Sequence, residues 1–166
     1  MIRIVALLLV ITVALPTAAR MVASAVQAEA SATPSDKYSG MYSFLRDGEF
    51  VQITVEDQGK VTGFVSRFGE LDSDKGAFLD QFFKAGKLDG SKLTFTTQPV
   101  HGVWFAFDGM VDRGEGKNPG DEAYYILKGT LTEYRTDDKK KSWSRARQVA
   151  FKSFPQDMAP SSPSKD

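Results

Sequence analysis

The sequence predicts an all-β domain: an antiparallel up-and-down β-barrel of seven or eight strands with one short helix. Three observations carry this. From residue 38 to 155 the dominant apolar period is two, the strand period, rather than 3.6. Turn pairs such as Asp47-Gly48 and Asp89-Gly90 separate the alternating runs, and Asp-Gly suits tight hairpins because both central positions can take positive φ. A run of consecutive antiparallel strands must also hide its edges, which closure into a barrel does most simply. A two-sheet β-sandwich fits the same pattern and stays open as the alternative.

The chain opens with Met1 to Arg3, a short positive start, followed by an unbroken apolar run from Ile4 to Leu15 that Pro16 ends. Residues 1–30 therefore read as a signal peptide. A twelve-residue run at a helical rise of ~1.5 Å covers ~18 Å, short of the ~30 Å hydrocarbon core. Cleavage near Ala28 or Ala30 is expected, leaving no integral membrane segment and a periplasmic or extracellular protein. Residues 31–37 read as a disordered linker and residues 156–166, rich in Pro and Ser, as a disordered tail. The barrel domain spans 38–155.

Within it, Met41 to Arg46, Glu49 to Glu56 and Lys60 to Arg67 form a three-stranded meander, turned at Asp47-Gly48 and at Asp57-Gln58-Gly59. Asp74 to Ala85 reads as the helix: Phe78, Leu79, Phe82 and Phe83 fall on one stripe, with Asp74 as cap and Gly86 as stop. Strand patterns resume at Lys92 to Gln98, His101 to Val111, Ala123 to Thr136 and Ser142 to Phe154, and Lys87-Leu88 offers a short eighth strand.

The stretch from Gly40-Met41-Tyr42 through Gly48 to Val61-Thr62-Gly63-Phe64 resembles the opening of calycin-type barrels, the lipocalins and avidin-like proteins, over the first three strands. The resemblance implies a barrel able to hold a small molecule. Where avidin-like proteins place an asparagine that grips biotin, this chain has Phe44, and the following turn is one residue longer, so biotin binding is not carried over.

Composition narrows the function classes. Loss of residues 1–30 removes Arg3, Arg20 and Glu29, leaving 19 basic and 20 acidic residues, a balance that gives no footprint for nucleic acid. With one histidine and no cysteine, zinc lacks its usual nitrogen and sulfur ligands, and the acidic group Glu70, Asp72, Asp74 and Asp80 misses the EF-hand spacing. No metal site and no cofactor are expected. The ligand-binding candidates are His101, Trp104, Tyr124 and Phe82, polar-tipped or aromatic groups suited to lining a cavity. Lys139-Lys140-Lys141 with Arg145 and Arg147 makes the basic cluster, read first as a solvated, edge-protecting hairpin tip and second as a contact for anionic lipid or polysaccharide surfaces. The leading expectation is an exported barrel that binds a small hydrophobic or amphipathic molecule. A surface-acting protein-binding or inhibitory domain stands second, and a hydrolase centred on His101 third.

Overall fold

A computed structural model of the chain describes residues 36–70, 74–137 and 139–156. The segment read as a signal peptide, residues 31–35 of the linker and residues 157–166 of the tail lie outside the described residues.

Eight strands follow one another: β1 (Gly40–Ser43), β2 (Phe50–Val55), β3 (Val61–Phe68), β4 (Phe78–Asp89), β5 (Lys92–Thr97), β6 (Val103–Arg113), β7 (Tyr125–Thr136) and β8 (Ser142–Lys152). Each pairs antiparallel with its sequence neighbour in one sheet of order β1 to β8. The sheet curls until its ends meet. Tyr42 and Ser153 form an antiparallel bridge, the Phe154 amide donates to the Met41 carbonyl at 2.8 Å, and the Lys152 amide donates to Ser43 Oγ at 3.0 Å. One curled sheet of consecutive strands is a barrel, and the sandwich alternative is set aside.

Alternation builds the interior. On β2, Val51, Ile53 and Val55 are buried; on β6, Val103, Phe105, Phe107 and Val111; on β7 and β8, Leu127, Leu131 and Phe151. Phe83, Phe95 and Phe107 stack across three strands at centroid separations of 4.4 and 5.3 Å, a geometry that adds to simple area burial. Gly109 and Gly129 face each other across β6 and β7. A Cβ on Gly129 would lie 2.4 Å from the Asp108 carbonyl oxygen and 2.5 Å from the Gly109 Cα, so only glycine lets these strands coil this tightly.

The region predicted as a helix is instead β4. Phe78, Asp80 and Phe82 point outward in register with Phe68, Ser66 and Phe64 of β3, while Gln81 points inward and is fully buried. Ring pairs Phe64–Phe82 and Phe68–Phe78 at 5.6 and 4.5 Å, and Ser66 Oγ donating to Asp80 Oδ1 at 2.7 Å, fix that register. A helix here would leave the ladder groups of β3 and β5 unpaired, whereas the strand satisfies both edges. Lys87 and Leu88, read as a separate short strand, are the end of β4, reached past a register shift between Phe83 and Ala85.

The first turn also differs. Only Gly48 of the Asp47-Gly48 pair takes positive φ, so the connection is not a two-residue type I′ turn. The Phe44 amide instead donates to the Glu49 carbonyl at 3.0 Å, closing a four-residue loop. The Asp57-Gln58-Gly59 turn forms as read, with positive φ at Gln58 and Gly59.

Candidate functional site

The β1–β2, β3–β4, β5–β6 and β7–β8 connections all emerge at one end of the barrel, and there the inward alternation changes chemistry. Along β8 the inward positions run Phe151, Val149, Arg147, Arg145, Trp143, from apolar core to charged mouth. Along β7 they run Leu127, Gly129, Leu131, Glu133, Arg135. Arg67 on β3 and Glu49 before β2 complete the change, both buried. The result is a cavity of about 410 Å³ in the barrel mouth, with Phe44, Phe105, Val103 and Trp143 as its apolar wall. Such a mixture of apolar wall and a few convergent polar groups is the usual make-up of a small-molecule site.

Five arginines and three glutamates line this cavity. Six of these eight charges alternate in a chain of ion pairs: Glu49 holds Arg46 at 2.9 Å, Arg46 reaches Glu70 at 3.3 Å, and Glu70 pairs with Arg135. Arg135 in turn meets Glu133 at 2.5 Å, and Glu133 holds Arg147 at 2.6 Å. Burial works to lower the Arg135 pKa, but hydrogen bonds from its guanidinium to Glu133 and Glu70 outweigh it and raise the value. Glu49 also accepts from the Arg46 and Phe68 amides, each at 3.1 Å, and so ties the first loop to the end of β3.

Arg67 and Arg145 stand outside this chain. Arg67 is 4% exposed, and its partners are neutral: Nε donates to Gln81 Oε1 at 2.7 Å and Nη1 to the Phe68 carbonyl at 3.1 Å. Gln81 is held by its own donation to the Val103 carbonyl at 2.7 Å, so the guanidinium is fixed in place from β4 and β6. Burial lowers the Arg67 pKa, with the nearby Glu70 carboxylate opposing that shift.

A second recess of about 260 Å³ adjoins the first and shares Arg67, Glu70, Val103, Arg135 and Trp143 with it. His101 stands at its edge with φ of 50°, its Nδ1 2.5 Å from Asp74 Oδ2, so the β5–β6 turn is pinned to the loop before β4. Among the described residues no hydroxyl is hydrogen-bonded to His101, and no group of three or more His, Asp or Glu is placed to hold a metal.

The four residues singled out from sequence are not brought together. His101 is at the mouth. Trp104 points outward from β6 and stacks on Tyr134 at 5.2 Å. Tyr124 lies in the β6–β7 connection at the opposite end, beneath the Arg113 guanidinium at 3.3 Å. Phe82 is on the outer face of β4, 59% exposed. Arg46, Arg67, Arg135 and Glu133 of the mouth escape the sequence reading, which places Arg145 and Arg147 in a surface cluster, although with Trp143 these two share the alternation parity of Val149 and Phe151, which marks them as inward-facing.

This eight-stranded up-and-down barrel shares its fold with solved structures of avidin-like proteins. Rhizavidin matches with a TM-score of 0.52 and 12% identity over 76% of this chain and 89% of the other. The rhizavidin–biotin complex matches at 0.50 and 12% over 69% and 98%, and intact apo afifavidin at 0.50 and 12% over 76% and 88%. At that identity the likeness is one of fold. No protein-family model and no curated protein sequence matches the chain.

Proposed function

We propose that this chain is an exported barrel that binds one small amphipathic molecule in its mouth. The observation that carries the reading is the cavity of about 410 Å³ where the inward face turns from aliphatic to charged, next to the buried apolar core of the barrel. The fold shared with rhizavidin, crystallised with biotin, supports it. Export is supported by the Met1–Arg3 and Ile4–Leu15 pattern. Among the described residues no helix is long and apolar enough to cross a membrane.

Native mass spectrometry of the protein purified from its own host tests both parts. The expected spectrum shows a chain shortened by 28 or 30 residues, carrying a small-molecule mass that denaturation removes. A full-length chain would remove export, and a bare mass that stays bare after incubation with small-molecule extracts would remove ligand binding.

One observation favours the surface-acting reading as second choice. Phe50, Phe64 and Phe82, with Phe68 and Phe78 beside them, form an outer aromatic stripe on β2 to β4, in which Phe78 and Phe82 are more than half exposed. For a hydrolase, the Asp74–His101 pair would need a nucleophile, and among the described residues no hydroxyl meets the imidazole.

A further inference from the structure

We propose that the barrel mouth selects an organic anion, with the oxyanion head seated against Arg67 and Arg145 and the apolar body along Phe105 and Trp143. This rests on the reading of the mouth as a ligand site and names the chemistry of its occupant.

The charge pattern carries the argument. Glu49, Arg46, Glu70, Arg135, Glu133 and Arg147 neutralise one another in sequence around the rim. What is left over is a surplus of two positive charges on two side chains, Arg67 and Arg145. An arginine is never neutral at physiological pH, and taking an unpaired charge out of water costs several kcal/mol. Arg67 nevertheless sits 4% exposed at the cavity wall, hydrogen-bonded only to amide and carbonyl oxygens, with Glu70, Glu49 and Asp74 acting on it through space and none of them in an ion pair with it.

Its fixed orientation matters as much as its charge. Gln81, itself fully buried, clamps Nε. Nη2 makes no hydrogen bond among the described residues, and Arg67 lines the cavity. Arg145 lies at the mouth on β8, opposite Glu133 in the ladder, and its side chain makes no ion pair or hydrogen bond among the described residues, so it can turn onto a bound group. A preorganised guanidinium is the group best suited to an oxyanion.

The apolar wall distinguishes an organic anion from a bare inorganic one. The Arg67 guanidinium carbon lies 6.0 Å from the Phe105 ring centre, and Phe44, Val103 and Trp143 line the same space. A molecule carrying a charged head on an aromatic or aliphatic body fits both halves.

Calorimetry with a matched pair of probes tests this on the mature chain. 1-Anilinonaphthalene-8-sulfonate carries an oxyanion on the body that N-phenyl-1-naphthylamine presents without one. The expected result is binding of the sulfonate at least about tenfold tighter, the value of one charge-assisted hydrogen bond. That preference should fall by a similar factor in Arg145→Gln, an exposed site whose change leaves the fold intact, and further in Arg67→Met. Equal affinity for the two probes, or a sulfonate preference that Arg145→Gln leaves unchanged, overturns the anion inference while the mouth remains a ligand site. Binding of neither probe overturns both. Displacement of the sulfonate by equimolar inorganic phosphate overturns the organic half of the inference.

Discussion

At the scale of single residues, the barrel relies on polar side chains placed where the alternation demands something apolar. Tyr42 is an inward β1 residue, 1% exposed, whose hydroxyl donates to the Tyr38 carbonyl at 2.7 Å. Burial, reinforced by the neighbouring Tyr125 and Tyr38, pushes its pKa well above the ordinary tyrosine value. In the unfolded chain a tyrosine ionises near about 10. Above that pH the folded state therefore holds a proton that the unfolded state has lost, and stability falls as pH rises. The contribution is fully present below about pH 10. A melting temperature that declines steeply above this pH is expected for the wild type, with a shallower decline for Tyr42→Phe. That variant also loses about 1 kcal/mol at neutral pH with the hydrogen bond to Tyr38. Parallel pH profiles for the two proteins would place the alkaline sensitivity elsewhere.

Between residues and the whole lie the strands, and here the limits of sequence reading are clearest. β2, β3, β5, β6, β7 and β8 were legible because their apolar positions alternate within a single segment. β4 was not. Phe78, Leu79, Phe82 and Phe83 satisfy a helical stripe locally, and only their partners on β3, sixty-four to sixty-eight in sequence, reveal that Phe78 and Phe82 belong to the outer face. The mouth was hidden for a related reason. Arg145 and Arg147 sit beside a lysine-rich turn, so composition places them with the solvated tip, while the parity of Val149 and Phe151 places them inside. The glycine pair of β6 and β7 is a further feature of pairing rather than of either strand alone. Substituting Gly129→Val puts a branched side chain within 2.5 Å of Gly109 Cα and against the Asp108 carbonyl. A loss of about 2–3 kcal/mol is expected, read as a lower denaturant midpoint. A midpoint within error of wild type would mean that the two strands separate more easily than their close approach implies.

For the molecule as a whole, stability is distributed unevenly around the ring. β6–β7 and β7–β8 each share eleven residue pairs, whereas β1 contributes four pairs to β2 and a single bridge to the chain beyond β8. The seam is nonetheless reinforced from outside the strands. Phe154 reaches Met41, the Ala123 amide donates to the Ser153 carbonyl at 2.8 Å, and the Gln156 amide donates to the Gly120 carbonyl at 2.9 Å. Residues 153–156 thus act as a latch across the closing edge and the β6–β7 connection, at the end opposite the arginine-lined mouth. Ending the chain at Lys152 removes the latch and leaves every mouth residue in place. Local opening follows the least-bonded segments first, so amide exchange in β1 should accelerate by more than about tenfold in the truncated chain while β6 and β7 stay protected. If the probe that occupies the mouth still binds with unchanged affinity, the mouth is held by β3 and β6 to β8 and does not need a closed ring. Uniform acceleration across all eight strands would instead make closure a condition of the whole fold, with the seam and the mouth opening as one cooperative unit.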